Sequence, residues 1–168
     1  MDDDDERGGS GVWTALLGFS QGAKMCASLL YRQQSRVADA DADGRGPSQS
    51  QSPRFRFGVL IAGRGPFVSL EPERAANETL PSAADFSSMK EKEPRGGHLL
   101  TIPTIHMHGL KDPGLEEHRK LYNEYCDRDT RSLLVWDAGH RLPVKPDDVT
   151  PLVKEIRRVA RATAATNR

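Results

Sequence analysis

Leu16 to Met25, LLGFSQGAKM, constrains the fold of this chain more than any other stretch of it. An apolar run, Val12 to Leu17, leads into Gly18-Phe19-Ser20-Gln21-Gly22, and Gly22, Cys26, Leu29 and Leu30 then recur at helical spacing through QGAKMCASLLYRQQ. The pattern predicts a strand, a sharp turn and a helix. A serine between two glycines at such a turn presents its hydroxyl at the end of the strand, because both glycines accept the tight backbone the turn requires. The N–H of Gln21, at the helix start, then faces the place where an oxyanion would develop. The competing reading makes Ser20 the cap of an ordinary helix, and residues elsewhere in the chain bear on the choice.

Helical and extended signals alternate through the rest. Phe55 to Gly63, FRFGVLIAG, is β-branched and aromatic and predicts a second buried strand; Ile102 to Gly109, IPTIHMHG, predicts a third, and SLLVWDAG, residues 132–139, a fourth. Pro113 to Cys126 predicts a helix with Leu115, His118, Tyr122 and Tyr125 on one face. A final helix is expected to open at Thr150 and Pro151, as cap and first-turn proline, and to carry Leu152, Ile156, Val159 and Ala160 in one stripe. The alternation predicts one α/β domain over residues 1–168, with a mainly parallel sheet of about four strands flanked by helices. Two segments stand apart. Ser35 to Arg54, with almost nothing to bury, is expected to be a mobile surface insertion, and Arg64 to Leu100 a lid-like excursion with a short helix near Ser82 to Lys90.

Balanced charge, 24 basic and 24 acidic residues with 36% hydrophobic content, gives no reason to expect nucleic acid or a membrane surface as partner. The start, MDDDDERGGSG, is acidic where a secretory signal is basic and then apolar, and no apolar run approaches the roughly 18 residues of a membrane-spanning helix, so a cytoplasmic protein is expected. Cys26 and Cys126 are too few and too far apart for a disulfide framework or a zinc knuckle and read as reduced thiols.

In open parallel sheets, catalytic groups gather at the carboxyl ends of the strands. The first strand ends in Ser20, the third in HGLKDPG with Asp112, and the fourth in WDAGHRLP with His140. Serine, acid and histidine in that order is the order of the α/β-hydrolases. Each residue also has a structural reading: Asp112, before Pro113, as a helix cap, and His140 as a structural histidine. Asp137 is a rival acid, but it leaves its strand only three residues before His140. Two metal-like patterns are set aside. Asp39 to Gly44, DADADG, begins like a calcium loop, yet position twelve is Ser50, so it reads as a solvated acidic loop. His106 and His108 share one strand face, but no third ligand stands at metal spacing. No metal or cofactor is expected.

LLGFSQGAKMCASLLYR, FRFGVLIAGRGPF, HMHGLKDPGLEEHRKLYNEYCD and WDAGHRLPVK resemble successive blocks of the fungal FSH serine-hydrolase family, close to thioesterase-like members of polyketide (secondary-metabolite) pathways. The resemblance covers most of the chain outside 35–54 and the amino-terminal tail. It implies that Ser20, Asp112 and His140 are nucleophile, acid and base, that the activity is hydrolysis of acyl esters or thioesters, including release of an acyl product from an acyl carrier protein, and that Arg64, Pro66 and Phe67 line the acyl pocket. Family members carry, before the serine, a strand leading to a His-Gly loop that donates a second oxyanion-hole N–H. Only 19 residues precede Ser20 here. The expectation is therefore the carboxyl-terminal part of the fold, with impaired activity, unless Ala62 to Gly65 supplies the donor. The apolar edge left on the nucleophile strand is expected to favour a homodimer, and the alternative function is a non-catalytic remnant that binds or dimerises.

Overall fold

The structure, a computed structural model, describes residues 13–42, 54–71, 80–81 and 98–165. The first strand, β1 (Ala15–Phe19), passes through Ser20 into helix α1 (Gln21–Ala42); β2 (Phe57–Ile61), β3 (Thr104–Gly109), α2 (Leu115–Tyr125), β4 (Arg131–Trp136) and α3 (Pro146–Ala165) follow. The four strands form one sheet in the order β1-β2-β3-β4, and every pairing is parallel. Both middle strands are buried along their whole length, as expected of parallel strands covered on two faces.

Alternation along the strands divides the core in two. Leu60 faces α1 and α2, where Ala23, Ala27, Leu30, Leu121 and Tyr125 close over the sheet. Phe57, Val59, Ile61, Ile105 and Met107 face α3 and meet Leu152 and Val159, two residues of the stripe expected from the sequence. The parallel α/β architecture and the four strands agree with the sequence expectation.

Boundaries differ in three places. Helix α1 continues through Ser35–Ala42, the first part of the expected insertion and most of the expected acidic loop; Arg32 and Arg36 on it both pair with Glu71, which holds an alanine-rich, mostly exposed segment against the loop after β2. Residues 43–53 lie outside the described residues, as does the helix expected near Ser82 to Lys90. Helix α2 opens two residues later than expected, with Gly114 at its N-cap. Helix α3 opens a turn earlier, at Pro146, so Pro151 lies inside it, and the Thr150 hydroxyl donates back to the Pro146 carbonyl instead of capping. Pro146 meets the same physical requirement as the expected Pro151, a first-turn position where no N–H is needed.

Several described residues of the 64–100 segment join the core, while 72–79 and 82–97 lie outside the described residues. Phe67, Val68, Leu80 and Leu100 are buried, Val68 N–H donates to the Ser28 hydroxyl on α1, and Leu100 bridges to Cys126. Among the described residues no helix is long and apolar enough to cross a membrane.

Candidate active site

Sheet register brings the strand ends level. Phe19 pairs with Ile61, Ile61 with Met107, and Gly109 with Trp136. The ladder then continues one step past each strand: Ser20 N–H donates to Ile61 C=O at 2.9 Å, Ala62 N–H to Met107 C=O at 3.0 Å, and Leu110 N–H to Trp136 C=O at 2.9 Å. The residues leaving β1, β3 and β4 therefore start from one edge of the sheet.

Ser20 sits there with φ 54°, in the left-handed region that costs a non-glycine residue conformational energy. Such strain at the strand-to-helix turn holds the hydroxyl out of the helix. Gly18 makes the turn possible, since a Cβ on it would lie 2.4 Å from the Gly22 carbonyl carbon. Gly22 is different: a Cβ there meets nothing within 4 Å, so the turn rests on one of the two glycines rather than both. Gly109 plays the part of Gly18 at the exit of β3, where a Cβ would lie 2.4 Å from the Ala138 carbonyl oxygen and push the loop carrying His140 away from that carrying Asp112.

His140 Nε2 is 2.9 Å from Ser20 Oγ, and His140 Nδ1 is 2.7 Å from Asp112 Oδ2. Residues 120 and 28 positions apart in the chain are thus joined in one line of hydrogen bonds. The second carboxylate oxygen of Asp112, Oδ1, accepts the Gly114 N–H at 2.8 Å. One carboxylate supports the turn before α2 and orients the imidazole, so the capping and catalytic readings of Asp112 are met by separate oxygens; the helix cap itself is Gly114. Burial pushes the Asp112 carboxyl up, but the Gly114 N–H, His140 and the field of His118 outweigh it and hold the group below its ordinary value. Asp137, the rival acid, is 73% exposed and paired with Lys111. No hydrogen bond or ion pair joins it to His140, whose partners are Asp112 and Ser20.

Three neighbours of the line bear on the site: Phe19 and His118 were not singled out as site residues in the sequence, and Ala62 opens the segment considered there as a second oxyanion donor. The Phe19 ring lies 4.9 Å from that of His140 and walls one side. Ala62, φ 50°, is a second strained residue at a strand end; its N–H is committed to Met107 and so is not available to an oxyanion. His118, wholly buried on α2, stands behind Asp112 with its Nε2 3.9 Å from Oδ2. Phe19 lies within the serine motif itself; His118 carried only a helical-face signal.

Of the residues expected to line an acyl pocket, Arg64 is exposed and lays its guanidinium against Gly114, next to Asp112. Pro66 is half-buried. Phe67 is fully buried, stacked on Tyr31 at 4.7 Å and edge-on to Tyr125 at 5.5 Å, and so is part of the core. Its neighbour Pro66 falls on the exposed side of the same turn, which sequence spacing alone does not resolve.

His106 and His108 are buried on the α2 face of β3 as one row with His118, their rings 5.9 and 5.6 Å apart in succession. Burial, with the neighbouring imidazoles, lowers His106 to about 3 and His108 to about 4. Cys126 is driven the other way, to about 12, and Cys26 also upward, by the same loss of water, so neither buried thiol is a nucleophile.

A family profile described as Serine hydrolase (FSH1) matches residues 6–152. Among curated proteins, the esterase pigG of Monascus ruber is 46% identical over 173 residues, covering 100% of this chain and 62% of its own length. The esterase claE of Penicillium crustosum is 44% identical, with 97% of this chain and 61% of its own length covered. The chain thus spans about three fifths of the curated relatives it matches. A solved structure from Agrobacterium vitis S4, described as a hydrolase, superposes with a TM-score of 0.54 at 19% identity, over 94% of this chain and 64% of the other; it supports the α/β-hydrolase fold.

Proposed function

Because the chain belongs to the FSH1 serine hydrolase family, we propose that it carries the nucleophile, acid and base of an esterase and cleaves acyl esters or thioesters by a covalent serine mechanism. The observation that carries the reading is the unbroken line Ser20 Oγ, His140, Asp112 at 2.9 and 2.7 Å, assembled from three strand ends.

The chemistry follows from the donors and acceptors. Asp112 Oδ2, ionised, takes the Nδ1–H of His140 and leaves Nε2 free to accept the Ser20 proton as Oγ bonds to the acyl carbon. The negative charge moves to the former carbonyl oxygen, where the first-turn N–H of Gln21 has no intrahelical partner and donates. Collapse expels the alcohol or thiol, which collects the proton from His140. Water, deprotonated by the same imidazole, then releases the acid and restores Ser20. Leu110 and Leu142, exposed on the loops carrying acid and base, offer apolar surface for an acyl chain.

A second oxyanion donor is not identified among the described residues, and Ala62 is already engaged. We therefore take turnover by these residues alone to be slow, since one missing donor costs about 10² to 10³ in rate. A carrier-bound acyl thioester, as the sequence resemblance implies, is the finer substrate proposal. A non-catalytic binding or dimerising role is the second reading, favoured by β1, which among the described residues is paired on one side only, by β2, and carries Leu17 at 60% exposure, with Trp13 before the strand at 44%.

Fluorophosphonate labelling tests the chemistry. The chain is expected to be labelled at Ser20 and much less so after His140→Ala; equal labelling of Ser20→Ala and wild type refutes the serine mechanism. Hydrolysis of a p-nitrophenyl ester beside an acyl-carrier thioester, with light scattering on the same sample, separates ester from thioester specificity and monomer from dimer.

A further inference from the structure

Asp112, His118 and His140 place one ligand atom each within 4.8 Å of one another. Two of the three are buried: His118 is fully so, Asp112 is 5% exposed, and the His140 side chain is open to solvent at 34%. Hydrogen bonds account for Asp112 and His140 but not for His118, whose two ring nitrogens have no hydrogen-bond partner among the described residues although the ring is wholly enclosed. An imidazole nitrogen buried in this way forgoes the hydrogen bond it would have in water, and nearly all such groups in folded proteins find a partner. Its Nε2 stands 3.9 Å from Asp112 Oδ2, on the side away from Gly114.

We propose that Asp112 Oδ2, His118 Nε2 and His140 Nδ1 form a binding site for a borderline divalent cation of the zinc class, and that filling it switches the serine off. Two imidazoles and one carboxylate with an open fourth position is a donor set that Zn2+ accepts, whereas Ca2+ and Mg2+ require more oxygen ligands. Entry is from solvent past the exposed edge of His140. Asp112 and His140 Nδ1, now 2.7 Å apart, need to separate by about half an ångström for tetrahedral ligand bonds of roughly 2.0 Å. The charge of Arg64, which lies beside Gly114 and is felt at His118, opposes the cation.

The inhibitory half rests on the serine-hydrolase reading; the binding half does not. When the cation bonds Nδ1, the single ring proton of neutral His140 leaves that nitrogen to solvent and one proton is taken up from solvent at Nε2, so the metal-bound ring stays neutral with its proton on Nε2. Nε2 then donates to Ser20 Oγ instead of accepting from it, so the base is lost while every residue of the line stays in place.

Calorimetric titration of the untagged chain with ZnCl2 is expected to give one Zn2+ per chain, weakened at least about tenfold by His118→Phe and unchanged by Ser20→Ala or by His98→Ala, a histidine bonded to Tyr31 away from the site. Co2+ added to the unaltered chain is expected to show the intense visible bands of four-coordinate metal, a readout that does not depend on His118→Phe folding. Weak six-coordinate bands, or a titration unaffected in a folded His118→Phe chain, overturn the site. Zn2+ at concentrations that fill it is expected to suppress fluorophosphonate labelling of Ser20, and EDTA to restore it. Labelling that persists with the site filled overturns the switch. A chain unlabelled even without metal instead refutes the serine mechanism, and the calorimetry still decides the site.

Discussion

Two groups of histidines lie within one small region and do opposite things. His140 sits on a loop with a third of its side chain in water, one nitrogen on a carboxylate and the other on a hydroxyl. His106 and His108, on the strand beneath, are enclosed and lowered to about 3 and about 4. The residue type is the same, and its chemistry differs because water and hydrogen-bond partners differ. A histidine is useful as a base where it can hold either a proton or none without much cost; one enclosed in apolar surroundings is confined to the neutral form and becomes packing.

The largest effect expected to sharpen that contrast is on turnover. His140→Ala should lower ester hydrolysis by about 10⁴-fold or more, with the fold retained by circular dichroism; a variant that keeps most of its activity breaks the comparison. Asp112→Asn should cost about 10⁴-fold while keeping an oxygen for the Gly114 N–H, so stability should shift by less than about 1 kcal/mol in urea unfolding. Asp137→Asn should leave turnover within the same order of magnitude, and the reverse result would transfer the acid role to Asp137.

Acid titration probes the enclosed pair. Because their folded values lie below the ordinary 6.5, the unfolded chain binds protons first, and stability present above pH 6.5 should be lost as pH falls toward 4 and then 3. Each unit of depression corresponds to about 1.4 kcal/mol. Urea midpoints measured between pH 7 and pH 4 should fall with pH, and less steeply in His106→Phe. An equal slope in that variant would show that His106 is not enclosed as described.

Phe67→Ala tests core against substrate surface at the residue where sequence and structure disagree. It should lower unfolding stability by about 3–5 kcal/mol, whereas Arg64→Ala should change stability little and KM more. Of the two motif glycines, Gly18→Ala should impair folding because its methyl meets backbone, and the smallest effect of all is that of Gly22→Ala, which in open space within α1 should stabilise by up to about 1 kcal/mol.

Much of this was legible in advance, and for local reasons. G-x-S-x-G after an apolar run, the alternating apolar periods, and Asp112 and His140 after the third and fourth strands are properties of short segments, and short segments report strand, turn and helix. Less legible was anything set by partners distant in sequence. Helix α1 runs on to Ala42, and Arg32 and Arg36 along it pair with Glu71, a contact that no local pattern of SRVADADA encodes.

The sequence by itself determined the order of elements, the parallel sheet and the three residues at its carboxyl edge, since periodicity and turn chemistry act over a few residues. Only the tertiary structure decided what depends on enclosure. It turned Phe67 from a lining residue into core, gave the two oxygens of Asp112 different tasks, and placed His118 behind that carboxylate with no hydrogen-bond partner among the described residues. Exclusion of water at a position is the joint product of segments far apart in the chain, and no window of sequence contains it.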